Sequence, residues 1–285
     1  MYKHIVVGFD DSEYSRAALT EAAHWAKGHG GKVTMVHAVY FDAEEFSTIP
    51  EQLEKRFKVG QEVCYQAKDV YSSELGVEID SLVCEGEPPE VILDVAEGKG
   101  ADLIAMGTYG RKGIKRLIMG SVTSRVILES PRDVLVVRKQ CSGCLGKYES
   151  ALVPFDGSDS SKKALDRAVA LSKMNSTGIT LLYVIPRYEE MIGFFRTSAI
   201  QKRLLEEGRR IIGEAERTVS GNGAPVKTIV EEGPVGDRIV EISRDLKNDL
   251  IIMGSHGWRG VSKALIGSVA QRVIADANVP ILIAR

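Results

Sequence analysis

The chain has 285 residues, 44% hydrophobic and 27% charged, with 37 Lys+Arg against 39 Asp+Glu for a formal net charge of −2. The length suggests two domains, and the composition is that of a folded chain with a real core in each rather than a disordered one. The near-balanced charge excludes a generic polyanion binder, and no apolar run approaches the roughly 18 residues of a membrane span.

In chain order, the N-terminal MYKHIVVGFDDS carries one Lys and then a short β-type run, without the h-region or cleavage site of a signal peptide. Strands are predicted near His4–Phe9, Val33–Val39, Val77–Val83, Leu103–Met106 and Val134–Val137. Between them, Ser12 caps a helix that carries Ala17, Ala18, Ala22, Ala23 and Ala26 on one face. Pro50 suits the start of a long helix running towards Leu75. A further helix begins around Pro89 and stops at Gly98–Gly100, and a last one spans roughly Ser121 to Glu129 before Pro131. Continuous Val/Ile/Leu strands alternating with helices indicate a parallel sheet covered on both faces, doubly wound through right-handed crossovers.

The second half repeats the first at a shift of 146 to 147 residues. IVVGFDDSEYS (Ile5 to Ser15) matches LVPFDGSDSS (Leu152 to Ser161), pairing Asp10 with Asp156 and Ser12 with Ser158. KVTMVHAVY matches GITLLYVIP, which aligns His37 with Tyr183, and VCEGEP matches VEEGP. The longest match sets ADLIAMGTYGRKGIKRLIMGSVTSRVI against NDLIIMGSHGWRGVSKALIGSVAQRVI, and both halves close on VLVVR and ILIAR. The fold class is therefore α/β, given twice: two tandem doubly wound domains, each a five-stranded parallel sheet with helices on both faces. The boundary falls in the polar, Gly-bearing KQCSGCLGKYES (Lys139 to Ser150). Domain 1 is placed at 1–140, a short linker at 141–150 and domain 2 at 151–285, the halves expected to pack together.

In such a sheet ligands bind beyond the carboxyl ends of the strands, where the winding reverses. After the fourth strand stand Gly107-Thr-Tyr-Gly110 and, nine residues on, Gly120-Ser121; the second half has Gly254-Ser-His-Gly257 and Gly267-Ser268 at the same spacing. Gly107 and Gly110 let the backbone approach a ligand or take positive φ. Gly120 and Ser121 precede a helix whose free N–H groups and positive dipole end suit phosphate. The hydroxyls of Ser121, Thr123 and Ser268 can add hydrogen bonds, and Asp10 or Asp156 can accept from a ribose hydroxyl or a base amine. Together these parts describe a mononucleotide pocket. Glycines after strands and Gly-Ser helix starts also occur for packing and capping alone, and duplication by itself preserves their spacing.

An Asp at the first strand end, with G-x2-G-x9-G-[ST] after the fourth, resembles the universal stress protein family over nearly all of the chain, in a tandem two-domain arrangement. That resemblance implies a five-stranded parallel fold and ATP binding at this motif, which many members show and members lacking the glycines do not. It places the phosphate-binding segment on Gly107, Gly110, Gly120, Ser121, Val122 and Thr123, and on Gly254, Gly257, Gly267, Ser268 and Val269. It places base and ribose contacts on Asp10 with Ala38 and on Asp156 with Val184. The second copy matches better, with Pro154, Asp156-Gly157-Ser158 and His256 where the family has them. The first has Asp11 where Gly is usual, a negative charge beside an anion pocket, and Tyr109 where His is common; Ala270 replaces the hydroxyl of Thr123.

Other signals are discounted. Gly30-Gly31-Lys32 lacks the upstream Gly of a Walker loop, and no G-x-G-x-x-G follows the first strand. Arg111, Lys112, Lys115 and Arg116, with Arg259 and Lys263, either counter phosphate charge or form a solvated loop. Cys141 and Cys144 supply only two of the four ligands of a structural zinc site, though a dimer could bring two pairs together. Cys64 and Cys84 read as buried small apolar residues, His37 as packed, and Phe194-Phe195 as core.

The expectation is a cytoplasmic adenine-nucleotide binder with a sensing or regulatory role, Mg²⁺ arriving with the ATP and hydrolysis at most slow. Efficient phosphoryl transfer also wants a positioned base and a metal holder, which the sequence does not identify. Intramolecular pairing of the halves through their closing strands and a homodimer follow by analogy with the family; nucleic acid and membrane are not expected partners. The alternatives are a nucleotide hydrolase or nucleotidyl transferase on the same fold, and a ligand-free interaction module with metal at the linker Cys pair.

Overall fold

Short β-branched runs flanked by capped amphipathic segments set the element order in a computed structural model, which describes residues 1–40, 50–109, 119–138, 146–186, 198–257 and 265–285. The chain divides into two units, Met1–Lys147 and Tyr148–Arg285.

The first unit runs β1 (His4–Gly8), α1 (Glu13–His29), β2 (Lys32–Val39), α2 (Pro50–Leu75), β3 (Glu78–Glu85), α3 (Pro88–Gly98), β4 (Leu103–Gly107), α4 (Ser121–Glu129) and β5 (Asp133–Val137). Its strands are parallel in the order β3-β2-β1-β4-β5. The winding reverses between β1 and β4, so the carboxyl ends of those two strands form the switch point. Every residue of β4 and β5 is buried, the signature of a sheet covered on both faces. The small-residue face of α1 packs down completely: Ala18, Ala22, Ala23 and Ala26 are 0% exposed.

The second unit repeats the plan with β6 (Ser150–Pro154), α5 (Asp159–Asn175), β7 (Gly178–Pro186), α6 (Ser198–Gly221), β8 (Val226–Gly233), α7 (Val235–Asp245), β9 (Leu250–Gly254), α8 (Ser268–Asp276) and β10 (Ile281–Ala284). Its parallel strands run β10-β9-β6-β7-β8, with the switch point between β6 and β9.

One tie recurs at the start of both sheets. Asp102 accepts from the Lys3 and His4 amides at 2.9 and 3.0 Å, and Asp249 from the Glu149 and Ser150 amides at 2.7 and 3.0 Å. Each carboxylate pins the first strand of its unit beside the fourth.

Candidate functional site

Each unit places an Asp just past its first strand, in the turn that starts the first helix. Asp10 Oδ1 accepts from the Ser12 amide at 3.1 Å and from its hydroxyl at 2.6 Å, while Ser12 Oγ accepts from the Ser15 amide and caps α1. Asp156 repeats this with Ser158 at 3.0 and 2.6 Å, and Ser158 caps α5. One oxygen of each Asp therefore holds a turn. The residue between Asp and Ser is left-handed in both units, Asp11 at φ 65° and Gly157 at φ 83°. That is costly for a residue with a Cβ and free for glycine. Arg16 grips Asp11 at 2.8 Å, which offsets the negative charge that sequence comparison sets beside this pocket. The same hydrogen bond raises the Arg16 guanidinium above its usual range.

The base-side residues lie on the second strands. Ala38 on β2 and Val184 on β7 are half-buried, in register with Cys84 and Glu231. His37 is packed, as expected: its Nδ1–H donates to the Phe9 carbonyl at 2.8 Å, and a Cβ on Gly60 would lie 2.9 Å from its ring. Tyr183 packs in the same way on Gly208.

The glycines of the spaced motif divide by role. A Cβ on Gly107 would sit 2.7 Å from the Tyr14 backbone of α1, and one on Gly254 2.4 Å from Ser160 Cβ. Neither has positive φ. The close approach anticipated at Gly107 is thus made by α1, so packing is reason enough for glycine at both strand ends. Gly257 differs, because a Cβ there would meet Asp156 Oδ2 at 2.7 Å; the fold brings this loop glycine against the Asp of the first turn. Gly110, and with it Arg111, Lys112, Lys115, Arg116, Arg259 and Lys263, lies outside the described residues, as do Cys141, Cys144, Phe194 and Phe195.

Gly120 and Gly267 are the N-caps of α4 and α8, neither start has a side-chain cap, and neither first turn contains an acidic residue. By contrast α1 and α5 are closed by Ser12 and Ser158 and carry Glu13 and Asp159 in the first turn. Uncapped N–H groups with no local carboxylate are what an anion needs. Each uncapped start is held to its strand end, Gly120 N–H donating to the Thr108 carbonyl at 2.9 Å and Gly267 N–H to the Ser255 carbonyl at 3.0 Å. Ser121 and Ser268 are exposed, and Val122 and Val269 half-buried. Thr123 is 3% exposed and donates to the Gly107 carbonyl at 2.6 Å. Its hydroxyl, expected to reach a ligand, instead ties the helix to β4; Ala270 leaves the second unit without that tie.

Sequence reasoning named His256 and Tyr109 at the strand ends but not their neighbours Ser255, Arg285 and Thr108. Ser255, 3% exposed, accepts from Arg285 Nη1 at 3.0 Å and lies 2.9 Å from His256 Nδ1, while His256 Nε2 meets the Leu265 carbonyl. In the first unit Thr108 is buried and its hydroxyl has no hydrogen-bond partner among the described residues, and Tyr109 packs edge-on against Tyr14 with centroids 5.2 Å apart. A signal existed: a hydroxyl residue stands between the motif glycines in both copies, and an Arg closes both VLVVR and ILIAR. Arg125 on α4 binds Glu87, Glu90 and Glu129, and Arg272 on α8 binds Asp237 and Asp276, fastening each helix to the one before it.

Cys64 is buried as expected, whereas Cys84 is only half-buried, because β3 is the outermost strand in its unit's order β3-β2-β1-β4-β5. A cleft of about 140 Å³ lies elsewhere, between α6 and the β7–β8 pair, lined by Ile185, Gln201, Leu204, Leu205, Val230, Glu231 and Glu232. It includes none of the motif residues. Among the described residues no group of three His, Cys, Asp or Glu is arranged to hold a metal, and no helix is long and apolar enough to cross a membrane.

Two consecutive parallel α/β units of identical strand plan, each with an Asp turn and an uncapped glycine-led helix at its switch point, define a duplicated doubly wound protein. The model of the universal stress protein family matches residues 1–138 and again 147–285, and the chain belongs to that family as a tandem member. A universal stress protein of Methanocaldococcus jannaschii is 37% identical over 145 residues, 49% of this chain and 84% of its own. One of Mycobacterium tuberculosis is 25% identical over 293 residues, 99% of this chain and 96% of its own. The crystal structure of a universal stress protein from Archaeoglobus fulgidus shares the fold at TM-score 0.74 and 20% identity, covering 99% of this chain and 96% of that one.

Proposed function

We propose that each half binds an adenine nucleotide, ATP in the first instance, and that the chain acts as a regulatory or stress-response binder. The observation that carries this is the start of α4 and α8 at the switch point, which has neither a side-chain cap nor an acidic residue in its first turn; α1 and α5 are capped, and the uncapped α3 and α7 carry Glu90 and Asp237 there. In this reading the phosphates meet the N–H groups from Ser121 to Thr123 and from Ser268 to Ala270, the Gly120 and Gly267 N–H groups being held by Thr108 and Ser255. Gly257 lets its loop lie against Asp156 beside the phosphates, and Gly110 is its counterpart in the first motif. Asp10 with Ala38, and Asp156 with Val184, take the ribose and base.

Local backbone recognition of this kind works without a basic surface, in keeping with a net charge of −2. Mg²⁺ enters with the nucleotide, since Asp10 and Asp156 each commit an oxygen to a turn serine rather than to a carboxylate cage. A cytoplasmic location and a homodimer belong to the same proposal, on the family resemblance.

Acid release and chromatography of material that co-purifies with the protein tests it, together with ATP titration of Gly120→Val and Gly267→Val. Valine at either position puts a branched side chain in the path of the phosphate, so each variant should lose one equivalent of nucleotide. A wild-type chain that is empty and shows no ATP affinity at millimolar concentration sinks the proposal.

A further inference from the structure

We infer that His256 is the positioning residue of the second pocket: it sets the start of α8 against the end of β9, the task that Thr123 performs for α4. The inference rests on the nucleotide reading above, since it explains how that pocket is held ready.

For a neutral His256 ring the hydrogen bonds admit one proton assignment. A carbonyl only accepts, so His256 Nε2 carries a proton and donates to Leu265. The neutral ring then has a bare Nδ1, which takes the hydroxyl proton of Ser255 at 2.9 Å. Arg285 only donates, so Ser255 Oγ accepts from it at 3.0 Å while its own hydrogen serves the ring. Each of the three bonds in the chain Arg285–Ser255–His256–Leu265 then pairs one donor with one acceptor.

That chain ends two residues before the N-cap Gly267. The intervening Ile266 carbonyl accepts from Gln271 Nε2 at 2.9 Å, and Gly267 N–H donates to the Ser255 carbonyl at 3.0 Å. Three successive residues ahead of α8 are thereby tied, two of them to the Ser255–His256 pair. Charge-assisted bonds from a helix start to an anion weaken steeply with distance and angle, so the pocket depends on where this N–H fork points.

The two units complement each other here. Thr123 donates to Gly107 in the first, where Tyr109 stands at the His256 position and packs on Tyr14. The second has Ala270, 2% exposed and without a donor, at the Thr123 position, and it has the His256 chain. Where one tie is missing the other is present.

The test uses the full chain in a Gly120→Val background, so that calorimetric ATP titration reads the second pocket alone. His256→Ala should weaken ATP binding about tenfold, the size of one well-made hydrogen bond. His256→Gln, which keeps an N–H near the Nε2 position, should restore most of it. In nucleotide-free protein the Gly267 amide should exchange with solvent faster in His256→Ala and at near wild-type rate in His256→Gln. In the otherwise unaltered chain, ¹H–¹⁵N NMR of the imidazole should find the proton on Nε2.

A ring proton on Nδ1, or unchanged affinity and exchange in His256→Ala, overturns the inference. Should His256→Ala fail to fold, the Gln variant and the tautomer decide. If the exchange effect is present but the wild type takes up no ATP, the nucleotide reading falls and the tie stands.

Discussion

The start of α4 and the start of α8 are the same object built twice with different fastenings. In the first unit a hydroxyl inside the helix, Thr123, reaches back to the strand end; in the second an imidazole on the strand side, His256, reaches forward to the residues before the helix. Both leave the N–H groups at the helix start without a side-chain cap. What duplication has preserved is therefore a glycine-led, uncapped helix start held to its strand end, while the side chains that secure it have changed. The turn before the first helix teaches the same lesson, with Asp11 clamped by Arg16 standing where Gly157 needs no clamp.

That comparison can be broken first at the motif glycines. Gly107→Ala and Gly254→Ala should each cost about 2–3 kcal/mol of stability, because the added methyl collides with the neighbouring helix rather than with any ligand. Urea unfolding of the ligand-free chain would measure it, and a loss of ATP binding without a loss of stability would contradict the packing role. Removing the Thr123 hydroxyl comes next. Thr123→Ala should cost about 1 kcal/mol, with a fall in the affinity of the first pocket and none in the second.

In the turn, Gly157→Ala should destabilise by about 1 kcal/mol because its left-handed φ excludes a Cβ, whereas Asp11→Gly should change stability by no more than about 0.5 kcal/mol. There, relief of the left-handed backbone is offset by a looser unfolded chain and the lost Arg16 pair. Equal penalties at the two positions would show that the turns are not equivalent. The smallest effect is on pH. Burial pushes the Asp249 carboxyl above the usual carboxylate range, against the backbone N–H bonds that pull it down. The folded chain thus holds this proton to higher pH than the unfolded one, so the contribution to stability is present below the ordinary Asp value and is lost as pH rises through the raised one. Asp249→Asn should flatten that part of a stability profile taken between pH 3 and 6.

Much of the architecture was legible in the residues because the signals were local. Ser12 capping an Ala-faced helix, Pro50 opening one that ends at Leu75, and Ser121–Glu129 ahead of Pro131 each name their own boundaries, and the structure has helices at Glu13–His29, Pro50–Leu75 and Ser121–Glu129. The strand predicted at Val77–Val83 starts one residue early and ends two short: β3 begins at Glu78 and runs on through Cys84 to the charged Glu85. The candidate residues could be named from the sequence as positions, but the contacts that the described ones make could not. The neighbour that excludes a side chain at Gly107 is Tyr14, far away along the chain, and the partner of Ser255 is Arg285. Spacing alone carries no trace of such contacts. Nor could burial at Cys84 be read from an apolar run without knowing that β3 would be outermost in its unit's strand order.

The glycines at the ends of β4 and β9 have a consequence for pattern searches. Because α1 and α5 occupy the space a methyl would need, the first letter of G-x2-G-x9-G reports how a helix seats on a sheet. A pattern anchored on it will gather proteins with this seating whether or not they hold a nucleotide. On the nucleotide reading proposed above, the second and third glycines, with the turn that follows, are the letters to weigh when sorting binders from relatives that keep only the scaffold.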